Sequence, residues 1–176
     1  MFRSAISAPS ALIGLCESQY LDAKSSGYNL RIDSQKLELA SDVAAFANAT
    51  DGGVILIGAE TAKDKFGRDQ IVKFPGIASR SVDVNQYRDT ISRYAIPGIS
   101  GLRIDVCETE GSELLCILIP PQNPSKIPFI VKGSINKNGK ISGKHIAVPI
   151  RSTDGNTHLD AHLIHAALSD GWHKKK

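Results

Sequence analysis

Glu17 and Asp22 stand near the start of the chain, and Glu60 follows the apolar run at residues 54–57. Carboxylates that converge at strand ends hold hard divalent cations such as Mg2+ or Mn2+ through their oxygens. A cation so held activates water and offsets the charge that builds on a phosphodiester as it breaks. Glu17, Asp22 and Glu60 are therefore the candidate catalytic and metal-binding set. They can act together only if the strand that carries Asp22 runs beside residues 54–57. The competing reading is structural, with Glu17 or Asp22 paired to Lys24 or Arg31 to hold the fold.

A second group points to a polyanion. Residues 114–151 contain Lys126, Lys132, Lys137, Lys140, Lys144 and Arg151 and no Asp or Glu. The net charge is only +3, so the distribution carries the information. A strip of one sign suits a phosphate backbone, because each neutralised phosphate releases a counterion. The polar segment at residues 61–80 adds Lys63, Lys65, Arg68 and Lys73, and reads as a long loop. Tyr20 and Tyr28 flank the first acids and could stack on bases. Tyr20 is expected in the core, while Tyr28 falls in a loop.

These residues need a frame. Residues 20–24 predict a strand and residues 25–27 a loop. Asp33 or Ser34 can cap a helix running to about Asn48, with Leu39, Val43 and Phe46 on one buried stripe. Gly52 and Gly53 turn the chain into residues 54–57, a strand buried on both faces. Asp83 caps a second helix with Val84, Tyr87, Ile91 and Tyr94 inward, stopped by Pro97 and Gly98. A hairpin of residues 102–109 and 113–119 follows, and in its register Cys107 faces Leu114 rather than Cys116. Residues 129–132 and 141–151 read as strands, and residues 158–168 as a last helix.

With 176 residues, 41% of them hydrophobic, the chain can bury one core of its own. The expected division is a tail at 1–12, a domain at 13–170 and a basic tail at 171–176. No run reaches the roughly 18–20 apolar residues of a membrane helix, and the first residues, broken by Ser7, Pro9 and Ser10, are not expected to form a signal peptide. Cys16, Cys107 and Cys116 lack metal-ligand spacing and read as free thiols in a reducing, cytoplasmic setting. His158, His162 and His165 share one helix side without the Glu of a zinc-protease motif, and read as a polar stripe. The segment from Gly133 to Lys140 has five residues between its glycines, and Ile141 stands where a phosphate-binding loop needs Ser or Thr.

Three segments in order resemble the Schlafen-type AlbA domain family. Glu17-Ser18-Gln19-Tyr20-Leu21-Asp22-Ala23-Lys24 is similar to its Glu-Ser-x-x-x-Glu-Phe-Lys opening, with Asp22 for Glu and Ala23 for Phe. Ala45-Phe46-Ala47-Asn48-Ala49-Thr50-Asp51-Gly52-Gly53, running on to Gly58, is similar to its central Ala-Phe-Ala-Asn-Thr-x-Gly-Gly signature. Pro128-Phe129, then Ile150-Arg151-Ser152-Thr153 up to Thr157, is similar to its closing strand and turn. The central signature is architectural: small residues let a helix lie close on a sheet, and Asn48 can bond free backbone groups.

The resemblance implies an α/β (α+β) fold, a mixed sheet with packed helices in a single AlbA-like domain. It implies nucleic-acid binding, RNA before DNA. Animal Schlafens pair two such modules into a basic groove and cleave transfer RNA with three carboxylates. Carried onto this chain, those acids are Glu17, Asp22 and Glu60, a metal-dependent endoribonuclease set. The RNA contacts expected are Lys24, Lys63, Lys65, Arg68, Lys132, Lys137, Lys140, Lys144 and Arg151. One module is half a groove, so a two-fold homodimer is expected. The rival reading is a non-catalytic interaction or assembly module whose acids are structural.

Overall fold

In the computed structural model, residues 9–77, 82–109, 111–152 and 155–173 are described. Most of the expected N-terminal tail, the end of the expected loop at 78–80, Thr153 of the closing motif and the lysines at 174–176 lie outside these residues.

The centre is a βαβ unit. Strand β1 (Leu21–Lys24) runs parallel to β2 (Gly53–Ile57), with helix α1 (Asp33–Ala47) between them in sequence. Parallel neighbours need such a crossover. Further along the chain lie β3 (Glu60–Lys63), β4 (Asp69–Lys73), helix α2 (Val84–Tyr94), β5 (Ala95–Ile96), β6 (Arg103–Thr109) and β7 (Ser112–Ile119). β7 pairs antiparallel with β2 and β6 with β7, giving a mixed sheet in the order β1-β2-β7-β6.

Strand alternation sorts this sheet's side chains onto two buried faces. Ile55, Ile57, Leu115, Ile117 and Ile119 meet Leu39, Val43 and Phe46 of α1, the stripe the periodicity predicts. Leu56, Leu114 and Cys116 point the other way, against Cys107, Ile71 and Leu12. Residues 54–57 are apolar throughout because both faces are covered. Leu12, at the end of a 3-10 turn (Pro9–Leu12), is buried against this second face. The hairpin register is as predicted, Cys107 opposite Leu114; the Cys107 thiol nonetheless reaches Cys116 diagonally, at 3.1 Å between sulfurs.

The helix-to-strand corner depends on its glycines. Gly52 sits at φ +67°, and a Cβ there would lie 2.1 Å from the Ile119 carbonyl oxygen. A Cβ on Gly53 would lie 2.1 Å from the Phe46 ring. The signature Phe46…Gly52-Gly53 is thus a steric match between one ring and two bare backbone positions.

Beyond α1 lie β8 (Ile130–Ile135), β9 (Ile141–Ala147), β10 (Pro149–Ser152), β11 (Gly155–His158) and helix α3 (Ala161–His173). β5, β8 and β9 form a second, antiparallel sheet, while β10 pairs with β11. Four expectations are corrected. The single strand at 141–151 is split after Ala147, where Pro149 has no N–H to continue a ladder. The last helix starts at Ala161, with Asp160 accepting from Leu163 N–H, since residues 155–158 form β11. Asp33 does not cap α1, whose N-cap is Ile32; it bonds Lys36 and the Ile141 N–H instead. The long loop from residue 61 is the β3–β4 hairpin. Asp83 does cap α2, accepting from Asn85 and Gln86 N–H.

Candidate functional site

Asp22 and Lys24 are two residues apart on β1 and share the face of Ile55 and Ile57, which α1 covers. Asp22 is therefore buried, at 8% exposed. Arg151 Nη2 lies 3.1 Å from its Oδ1 and Lys24 Nζ 3.1 Å from its Oδ2. Lys24 also reaches Asp42 Oδ2 of α1 at 3.2 Å. Asp42 accepts from the Tyr28 hydroxyl, and from Asn156 Nδ2 at 2.6 Å. The Arg151 side chain is 4% exposed; it donates to the carbonyls of Ser18 and Leu21 and lies over the Phe46 ring at 4.7 Å.

The titration behaviour follows from this burial. Burial lifts the Tyr28 hydroxyl well above its ordinary range, and the Asp42 charge adds to it. Burial also raises the Asp42 carboxyl, against the pull of Lys24 and Tyr28. For Lys24 burial alone would lower the ammonium, but Asp42 and Asp22 outweigh it and the group ends above its usual value. Lys24 and Arg151, expected to meet phosphates, are instead the cations of an internal network. Asp42 and Asn156 belong to that network and were not singled out in the sequence; Tyr28, expected in a loop as a stacking candidate, belongs to it as well. One signal was present: Asp42 falls on the stripe of Leu39 and Phe46, and an acid on an apolar face needs a buried partner.

The adjacency the three carboxylates required is present, since Asp22 pairs with Ile55. Their convergence is not. Glu17 lies near Asp22, with Oε1 accepting from Ala23 N–H at 3.1 Å. Glu60 follows the positive-φ Gly58 out of the sheet into β3, where Lys73 pairs with it at 3.1 Å. Among the described residues no three His, Cys, Asp or Glu side chains stand close enough to hold a metal ion. Both Asp22 oxygens face cations. As arranged, Glu17, Asp22 and Glu60 do not fit Mg2+ or Mn2+, which need several oxygens aimed at one point.

Glu17 opens instead onto a cleft. Residues 14–17 run beside β4, with Glu17 N–H donating to the Asp69 carbonyl at 2.7 Å and Ile71 N–H to Leu15 at 2.9 Å. The β3–β4 turn is organised by Asp64, whose Oδ1 accepts from Phe66 and Arg68 N–H and whose Oδ2 accepts from Arg68 Nε. Those bonds, the Arg68 backbone bond first, hold its carboxyl down at about 2. The turn lifts Phe66 into solvent at 70% exposed. Lys65 Nζ and Arg68 Cζ lie 4.9 and 5.3 Å from its ring centroid, within cation–π range. The cleft has a volume of about 740 Å³ and is lined by Glu17, Ser18, Tyr20, Lys63, Phe66 and Arg68, among others. Tyr20 is here half-buried, while Tyr28 is the core tyrosine, the reverse of the sequence expectation.

The other basic group stands on the β8–β9 hairpin. Lys132 in β8 and Lys137 and Lys140 at the turn are exposed, and Lys144 lies in β9. Asn136 Oδ1 shapes the turn by accepting from Asn138 and Lys140 N–H. The segment from Gly133 to Lys140 is thus a hairpin and not a nucleotide cradle. No described helix is long and apolar enough to cross a membrane.

The profile of the Schlafen, AlbA_2 family matches residues 17–160. No curated protein matches the chain. Among solved structures, the chain is similar to the DIP2311 protein from Corynebacterium diphtheriae, with a TM-score of 0.51, 16% identity, 90% of this chain covered and 27% of that one. It spans, then, about a quarter of that protein's length. The N-terminal domain of a RecG-related protein from Nitrosomonas europaea gives a TM-score of 0.47 and 20% identity, covering 83% of this chain and 88% of that domain.

Proposed function

The chain belongs to the Schlafen, AlbA_2 family, and from that premise we propose that it is a nucleic-acid-binding domain whose partner is RNA, transfer RNA in particular. The observation that carries this reading is the exposed cationic β8–β9 hairpin, Lys132, Lys137 and Lys140, in a stretch of residues 114–151 without an acid. Such a surface attracts phosphate with nothing of opposite sign from its own segment to compete. The β3–β4 hairpin, with Lys63, Lys65 and Arg68, supplies a second point of contact. Lys24 and Arg151 are left out of the interface, since both serve the internal ion pairs. Asp22 and Glu60, each paired to cations, favour binding without metal-dependent cleavage.

Replacing Lys132, Lys137 and Lys140 together by Ala should weaken RNA binding. The plot of log affinity against log salt should flatten by about 0.7 for each single-strand phosphate that is no longer neutralised. A filter-binding titration over a salt series reads this. An unchanged slope removes the β8–β9 face from the interface, and salt-insensitive binding by the wild type favours an assembly module instead.

A two-fold homodimer would join two such surfaces into one groove. Helix α3 offers exposed Leu163 and Leu168 for that contact. Light scattering at working concentration should give twice the 18.9 kDa chain mass. A monomer that binds RNA as tightly removes the dimer from the proposal.

A further inference from the structure

We propose that the cleft between the β3–β4 hairpin and residues 17–20 receives one unpaired guanine, stacked on Phe66 with its N1–H and amino group facing the Glu17 carboxylate. The proposal rests on the nucleic-acid reading above and names what that surface selects.

An aromatic ring 70% exposed at a turn tip is costly to leave in water unless something covers it. Every nucleobase has a π face, and stacking on an aromatic side chain is how single strands are commonly held. The surroundings match a nucleotide better than an apolar peptide. Lys65 and Arg68 flank the ring at 4.9 and 5.3 Å, where cations can meet the phosphates on either side of a stacked base. Tyr20 lines the same cleft and offers a second aromatic wall.

Glu17 supplies the choice among bases. It lines the cleft, and among the described residues the one hydrogen bond its carboxylate accepts is from Ala23 N–H to Oε1. Its half-buried carboxylate acts as acceptor only. Guanine alone presents two adjacent donors, N1–H and the 2-amino group, on its Watson–Crick edge. Adenine and cytosine set an amino donor beside a ring-nitrogen acceptor, and uracil sets its N3–H between two carbonyls. A carboxylate repels those acceptors, so it selects guanine. Burial raises the Glu17 carboxyl, with Asp22 and Asp69 adding to it. Facing donors would relieve that cost, as expected of a group kept for binding.

The test is fluorescence anisotropy with short single-stranded RNAs that carry one guanine, or inosine, adenine or uracil in its place. Wild type should prefer guanine, with inosine, which lacks the 2-amino group, intermediate. Phe66→Ala should weaken binding to the guanine RNA between about five- and about 150-fold, the range for loss of one base–aromatic stack. Its salt slope should not change, because the ring carries no charge. Phe66→Leu, which keeps apolar area without the ring, should recover only part of the affinity. Glu17→Gln should bring guanine and adenine to near-equal affinity, while retaining the acceptor for Ala23 N–H. Phe66 is exposed, so its variants should melt with the wild type. If Phe66→Ala and Glu17→Gln bind each RNA like wild type while the triple-lysine variant still loses salt slope, the base site is overturned and the nucleic-acid reading stands. If wild type shows no salt-dependent binding to any RNA, both fall.

Discussion

Asp22→Ala should lower the melting temperature by roughly 6 to 20 °C, from a cost of about 3–5 kcal/mol for breaking a buried ion pair at about 2–4 °C per kcal/mol for a chain of this size. The cost arises less from the missing attraction than from what remains. Arg151, 4% exposed, would keep a full charge against two carbonyls at 3.3 and 3.4 Å and the Asn156 amide oxygen at 3.2 Å. Asp22→Asn should cost less, since its amide oxygen still accepts from Arg151. A metal ligand would behave in the opposite way. Removing one acid from a crowded cation site relieves repulsion, leaves the cation-free fold as stable or more so, and abolishes Mn2+-dependent cleavage of transfer RNA. Thermal melting of Asp22→Ala beside an Mn2+ incubation separates the two. An unchanged or raised melting temperature overturns the structural assignment.

Glu17 provides the contrast within the same motif. Its carboxyl is raised above the ordinary value of 4.5, first by burial. A carboxyl raised by folding binds its proton more tightly in the folded state. Its favourable share of stability is complete below the unfolded value and is lost as pH rises through the folded one. At neutral pH Glu17 therefore costs stability, and Glu17→Gln should melt at or slightly above wild type. Two acids five residues apart should thus have opposite effects at neutral pH, Asp22→Ala lowering the melting temperature and Glu17→Gln leaving it unchanged or slightly raised.

That difference was not legible in the sequence. A carboxylate that binds a metal and one that binds an arginine are the same residue type, and the deciding partners, Arg151 and Asp42, lie far along the chain. Local patterns were legible where local physics decides. The stripe of Leu39, Val43 and Phe46, the Gly52-Gly53 corner, the Asp83 cap and the β6–β7 register all follow from periodicity, sterics or turn chemistry. The β3–β4 hairpin was hidden by its polar residues. Its signals were the β-branched Ile71 and Val72 after a turn in which Asp64 bonds two amides and Gly67 adopts φ +80°. Tyr28 is buried because its hydroxyl finds Asp42, and Tyr20 stays half-exposed at the cleft, so tyrosine burial depended on a partner rather than on strand or loop position.

Asn48→Ala should destabilise the domain by about 3 kcal/mol or more, since each buried polar group left without a partner costs about 1–3 kcal/mol. Asn48 is the C-cap of α1, and its side chain ties that helix end to two distant segments. Nδ2 donates to the carbonyls of Phe129 and Pro149 at 2.9 and 2.8 Å, and Oδ1 accepts from Phe129 N–H at 2.7 Å. Phe129 and Pro149 are both buried, so alanine would strand one N–H and two carbonyls away from water. Asn48→Asp should be no better. It still accepts from Phe129 N–H, but it sets a carboxylate against two carbonyl oxygens that need donors. The same side chain fixes where β8 and β10 leave α1, and those strands carry Lys132 and Arg151. Thermal melts of both variants, with amide exchange followed at Phe129, read the effect. An Asn48→Ala protein that melts with wild type and keeps the Phe129 amide protected would show that water replaces all three bonds, and would leave the signature's asparagine without a structural reason.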